Sequence, residues 1–372
     1  MAKERILEPY GDIDLQMLED FCQAKGISGY EAGASRVMKR YLEGHVDTIE
    51  YDNLGSIYGC QKGNHPDDEK APKVAFFGHL DEVGFYVKKI EDTGFIRVVN
   101  AGGLWPHVLL AQEVMITTRE GKEIYGMISA PAPHGMPPEV MKTVKQLDEL
   151  FIDIGVCDKE EVEALGVRIG DPITLVSEFR VMANPNFLMA KAWDDRVGAL
   201  IATDVVRRLK KEDHYADVYA VGSVQEEVGL RGAKTSAYAV QPDIGIALDV
   251  TLASDVPDSK FGAPLASGVT LSIMDGSVIG NRELYYYMED ICKELGIDFV
   301  YDIFMRGGTD SGEIHKTCSG IVNMTISIPA RSIHSHRGVI HRKDYADTVT
   351  LLVEFVKRVD WALVEKFKAS NR

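Results

Sequence analysis

Apolar positions recur along this chain in two rhythms, helical and extended, and the places where one gives way to the other divide it. Leu15, Leu18, Phe21 and Cys22 fall at helical spacing, with Asp12 or Asp14 available as a cap. Val37, Met38, Tyr41 and Leu42 repeat the pattern after a turn at 29–30. Short extended segments follow at 48–52 and 56–60. The run Val74, Ala75, Phe76, Phe77 shows no alternation, which fits a strand buried on both faces, and it leads straight into Gly78 and His79. From 84 to 178 glycine and proline punctuate short alternating segments at 95–99, 113–118, 124–128 and 173–176, and only 138–150 and 159–165 look helical. That texture predicts a mostly β module, a small barrel, inserted into the first domain.

After Asn184 helices and strands alternate to the end. Val197, Leu200, Ile201, Val205 and Leu209 share one face of a helix over 195–211. A strand at 217–224, a helix at 231–239, a strand at 244–249 and a helix at 281–295 follow. Then come a strand at 299–304, a short helix at 309–315, a strand at 321–328 and one long final helix over 345–367. The alternation predicts an α/β fold with a mixed, largely parallel sheet flanked by helices. The expected division is a main domain of 1–84 and 179–372 carrying an inserted β-barrel domain of 85–178. A length of 372 residues, more than one core usually organises, agrees with two domains.

Composition narrows the partners. A net charge of −16 argues against nucleic acid or an anionic membrane surface, since both repel it. The five cysteines, Cys22, Cys60, Cys157, Cys292 and Cys318, are dispersed and never form a C-x-x-C pair, which suits reduced thiols in the cytoplasm. Met1 to Ile6 contain no apolar stretch like a signal peptide, and no run is long enough to cross a bilayer. A cytoplasmic location is expected.

Ligands of largely parallel sheets gather beyond the carboxyl ends of the strands. Six side chains fall at such places: His79, Asp194, Glu226, Glu227, Asp249 and His334. Two imidazoles and four carboxylates are what a two-metal hydrolytic centre needs. Taken singly, each has an ordinary reading. His79 with Asp81 two residues on reads first as a strand-end histidine bonded to backbone; in a metal site Asp81 would hold the second ring N–H. Asp194, followed by Asp195 and Arg196, suits a helix N-cap as well as a bridge between ions. The adjacent acids Glu226 and Glu227 repel each other in a desolvated setting unless a cation or proton intervenes. Asp249 ends an apolar strand, where an acid needs a metal, an arginine or a helix N-terminus as partner. His334 and His336 share a face if 331–336 is extended, so spacing does not choose between them. The segment Gly307, Gly308, Thr309, Asp310, Ser311, Gly312 lacks the P-loop lysine and reads as a turn into a capped helix that could form a pocket wall. Arg306 beside it could pair with an acidic substrate side chain.

In this order, the segments 78–84, 191–196, 225–229, 248–249, 307–310 and 333–335 resemble those of the tetrahedral (TET) aminopeptidase family, which includes bacterial glutamyl aminopeptidases. The resemblance implies an aminopeptidase with two divalent metal ions per subunit, zinc or cobalt. Asp194 would bridge them, His79 with Glu227 or Asp249 would complete the coordination, and His334 would serve the second ion. Glu226 would be the general base and Asp81 the carboxylate behind His79, with Arg306, Gly308 and Asp310 lining the substrate site. The family pairs an α/β catalytic domain with an inserted barrel and assembles dimers into a hollow dodecamer acting on peptides. Trp193 is larger than the residue expected beside the bridging Asp, and could narrow the site. Two other readings stand beside this one: a metal-dependent amidase or deacylase on small N-blocked substrates, and a non-catalytic scaffold.

Overall fold

The computed structural model describes residues 8–66 and 68–372; the opening Met1 to Ile6, read above for a signal segment, lies outside the described residues. Eight strands form one sheet in the order Thr48–Tyr51, Ile57–Gln61, Asp217–Ser223, Lys73–His79, Ile244–Leu252, Val322–Ala330, Val269–Asp275, Phe299–Phe304. The four central strands run parallel. Antiparallel pairing appears toward the edges, where Ile57–Gln61 meets Asp217–Ser223 and Val269–Asp275 meets Val322–Ala330. The mixed, largely parallel sheet expected from the alternation is therefore the observed one.

Lys73–His79 and Val322–Ala330 are almost wholly buried along their length, as strands covered on both faces must be. Helix Trp193–Leu209 packs across the centre of the sheet. Gly78 permits the close approach, because a Cβ there would lie 2.1 Å from the Ala199 nitrogen. Helix Leu15–Gln23 is capped by Asp14, whose carboxylate accepts from Met17 N at 3.1 Å, and it packs on the same helix.

Six strands from Gly84 to Leu175 close into the expected barrel, in the order Gly84–Ile90, Ile96–Ala101, Phe151–Asp153, Glu123–Ser129, Glu113–Thr117, Pro172–Leu175. It has its own core, with Phe85, Ile96, Val114, Ile116, Ile152 and Ile173 fully or almost fully buried.

Several elements differ from the periodicity. Only Pro138–Met141 and a 3-10 turn at Leu147–Glu149 are helical within 138–150. Met141 and Val144 remain exposed, so the segment has no surface on which to pack an apolar face, and packing is what sustains a short helix. The final helix is two, Arg342–Val356 and Trp361–Ala369, because Asp360 accepts from Leu363 N at 2.8 Å and caps a new start. Strand Val269–Asp275 and the small antiparallel sheet of Arg180–Val181, Phe187–Ala190 and Gly338–His341 were not apparent from the pattern. The five cysteines are free, and among the described residues no helix is long and apolar enough to cross a membrane.

Candidate metal centre

Strand register brings the candidates together. Ser223 lies level with His79, and Ala247 with Phe77, so His79, the turn after Ser223 and Asp249 all emerge at one carboxyl edge. Asp194 joins them from the start of Trp193–Leu209, although it does not cap that helix. Asp195 does so, accepting from Gly198 N at 2.9 Å with one oxygen and from His79 N at 3.1 Å with the other. Asp194 itself has non-helical backbone angles and follows residue 193 into the cleft.

The Asp194 carboxylate sits between the two histidines. His79 Nε2 lies 3.2 Å from Oδ1, and His334 Nε2 lies 3.2 Å from Oδ2. Glu227 Oε1 is 3.7 Å from His334 Nε2, and Glu226 Oε2 is 3.8 Å from His79 Nε2. Two sets of donor atoms, His79 with Asp194 and Glu227, and His79 with Glu226 and Asp249, each lie within 4.8 Å of one another.

Each imidazole is fixed from behind by a backbone carbonyl. His79 Nδ1 is 2.9 Å from the carbonyl oxygen of Asp81, and His334 Nδ1 bonds the carbonyl of Gly103, which belongs to the barrel. A ring that donates Nδ1–H keeps Nε2 free as a ligand. The Asp81 carboxylate also lies close, 3.5 Å from His79 Nδ1, and has a second task. It accepts from Ser28 Oγ at 2.6 Å, from Glu226 N at 3.0 Å and from Glu227 N at 3.1 Å, so it holds the turn that carries both acids. Glu31 extends the same device by accepting from Gln225 N at 3.1 Å.

The acidic groups of the site are buried close together and shift one another. Burial and the charge of Asp194 push Glu227 up to about 8 and raise Asp249 well above the usual carboxylate range. Burial likewise raises Glu226, with the His79 charge opposing it. Burial works against a charged ring at His334, but Asp194 and Glu227 outweigh it and lift the ring to about 10. Glu227 Oε1 is buried and accepts no hydrogen bond among the described residues. Carboxylates pushed toward their protonated forms by burial and by one another, and one buried oxygen with no donor among the described residues, fit a place for divalent ions.

His336 does not take part. The chain turns at Ser332 and His334, both at positive φ, so 331–336 is not the extended stretch in which the two rings would share a face. Burial lowers the His336 ring to about 4, with the Glu113 backbone opposing the shift. Trp193 does not narrow the cleft either: it is buried in the main core against Phe179. Arg306 and Gly308 line the cleft beside Asp194. Asp310 is 3% exposed and takes the Ser223 hydroxyl, outside that lining and without capping the helix Ser311–Ile314 that follows it.

Sequence reasoning passed over Arg196. Its guanidinium is fully buried and donates to the carbonyls of Leu80 at 2.6 Å, Phe21 at 2.7 Å, Ala24 at 3.0 Å and Gly26 at 3.2 Å. It ties the loop after His79 to the first helices, and no local pattern marks an arginine for such a task.

Imidazoles and carboxylates gathered at a strand edge are the equipment of metal-dependent hydrolases, and the chain's similarities narrow the class to one family. Residues 55–351 match the M42 glutamyl aminopeptidase family. A TET aminopeptidase from the marine sediment archaeon Thaumarchaeota archaeon SCGC AB-539-E09 superposes with a TM-score of 0.91 at 37% identity, covering 95% of this chain and 99% of that one. Lysyl aminopeptidase of Pyrococcus furiosus is 30% identical over 94% of this chain and 99% of its own. The TET1 peptidase of Pyrococcus horikoshii, which can assemble into a tetrahedron or a large octahedral shell, has a TM-score of 0.82 at 27% identity, with 93% and 99% covered. The chain belongs to the M42 glutamyl aminopeptidase family. It is accordingly a peptidase, and the non-catalytic scaffold is set aside.

Proposed function

We propose that this aminopeptidase removes N-terminal residues from peptides with two divalent metal ions, zinc or cobalt, and with Glu226 as general base. One observation carries the reading: the Asp194 carboxylate presents one oxygen to His79 and the other to His334, so it stands between two half-sites. His79 and Asp249 would hold one ion and Glu227 and His334 the other, with Asp194 shared. Ions there supply Lewis acidity, which polarises the scissile carbonyl and brings the pKa of a water to about 7 in favourable zinc sites.

The remaining work falls to the chain. Glu226 accepts the proton of the attacking water and passes it to the leaving amine. Asp81, by gripping the Glu226 and Glu227 N–H groups, keeps base and ligand in fixed relation. The Gly103 carbonyl aims His334, so the barrel helps build the site. A second role for the barrel, which we assign to 85–178, is assembly. Trp105, Leu110, Tyr125, Met127 and Met141 are exposed on it, and Leu110, Met127 and Met141 line one groove, apolar surface suited to a partner subunit. Dimers combining into a hollow dodecamer in the cytoplasm are the expected state, and light scattering on the purified protein reads it directly.

Chelation should lower activity on aminoacyl anilides by roughly a hundredfold or more, and zinc or cobalt should restore it at two equivalents per chain. Full activity at one equivalent would overturn the two-metal assignment. Cleavage of N-acetylated in preference to free aminoacyl anilides would favour a deacylase instead.

A further inference from the structure

The cleft that opens from Asp194 encloses about 360 Å³, and its far wall is unlike the metal centre. Strand Phe299–Phe304 brings Asp302 to it, 7% exposed. Asp302 Oδ2 accepts from Thr251 Oγ1 at 2.5 Å, while Oδ1 accepts no hydrogen bond among the described residues. No ion pair to a lysine, arginine or histidine forms at this carboxylate among those residues either. Ser272, level with Asp302 on the neighbouring strand, and Ser327 place two hydroxyls 2.9 Å apart in the same lining.

Asp275 also lines the cleft, but its carboxylate is engaged by the chain. It accepts from Ser277 N at 2.6 Å, Ser277 Oγ at 2.7 Å, Val278 N at 3.0 Å and Thr309 Oγ1 at 2.8 Å. Asp302 is thus the acid with capacity left over. A carboxylate taken from water without a cation is costly, so a ligand that brings the cation gains what the fold forgoes. The same lining includes Leu252, Met274, Phe304 and Ile333, apolar surface on which a methylene stem can lie. The one arginine of the lining, Arg306, is exposed and forms no ion pair with Asp302.

We propose that Asp302 makes the cleft selective for peptides whose N-terminal side chain is a cation, lysine or arginine. The proposal rests on the aminopeptidase reading and specifies its substrate. The amino terminus and scissile bond lie at the Asp194 centre, the stem follows the apolar wall, and the ammonium or guanidinium meets Asp302 Oδ1 and the serine hydroxyls. Arg306, exposed in the same lining, forms no ion pair with Asp302 and leaves that charge in place, so on this proposal it does not serve to pair with an acidic substrate side chain.

The test is a panel of lysyl, arginyl, leucyl and glutamyl anilides on the metal-replete enzyme and on Asp302→Asn. Wild type should prefer lysyl and arginyl over glutamyl substrates by about a hundredfold in kcat/KM. The variant should lose about 10- to 100-fold on the cationic pair, as expected for a charged hydrogen bond, and change leucyl hydrolysis by less than about threefold. A glutamyl or leucyl preference in the wild type would overturn the proposal, and that arm needs no variant to fold. An equal loss on all substrates in the variant would overturn it too, assigning Asp302 to the α-amine. Failure to cleave any free aminoacyl anilide is a separate result, which would defeat the aminopeptidase reading and the selectivity with it.

Discussion

Glu226→Gln is expected to lower kcat by roughly 10²- to 10⁴-fold, the usual contribution of a positioned general base, with both metal ions still bound. Glutamine keeps the shape of the side chain and cannot accept the proton. The neighbouring Glu227 provides the control. Its Oε1 is buried with no hydrogen-bond donor among the described residues and faces His334, the environment of a ligand, so Glu227→Gln should release metal as well as activity. Both backbones hang from the same Asp81 carboxylate, so the two variants disturb the turn alike and differ only in what the side chain does. The decisive measurement pairs kcat with metal content. Metal loss in Glu226→Gln, or an undiminished kcat, would move the base elsewhere.

Asp194→Asn should have the larger effect, a fall in kcat/KM of about 10⁴-fold or more together with loss of metal, as removal of a group shared by two ions requires. An amide offers one oxygen where the carboxylate offers two, and here each oxygen faces a different imidazole. The change also removes the negative charge that lifts His334 to about 10 and that adds to the raised values of Glu227 and Asp249. Metal analysis separates this from a simple loss of fold. A folded variant retaining two ions per chain would contradict a bridging role.

Much of the architecture was legible because its signals are local. A strand buried on both faces announces itself as an unbroken apolar run, as at 74–77, and an amphipathic helix by the spacing of Val197, Leu200 and Ile201. Errors arose where the outcome depended on neighbours. The periodicity of 138–150 is genuine, but no surface is there to receive it. Asp360 is one residue in a long helical pattern, yet its cap divides the helix. In Val269–Asp275 the alternation of Thr270 and Ser272 with apolar residues passed unnoticed, and that strand carries part of the cleft.

The chemistry divides along the same line. By itself the sequence determined the α/β alternation, the inserted barrel, and a set of imidazoles and carboxylates at strand ends, since residue type and spacing are properties of the chain. Only the tertiary structure places the ring of His334, and not that of His336, beside Asp194, through a turn at positive φ and a carbonyl at Gly103, 231 residues away. It likewise placed the carbonyl of Asp81, at 2.9 Å, nearer the His79 ring than its carboxylate, at 3.5 Å. It also left Asp302 buried beside one hydroxyl donor and, among the described residues, no cation. Each of these is a distance set by strand register and chain reversal, and hydrogen bonds and charge interactions depend on distance, which no local pattern records.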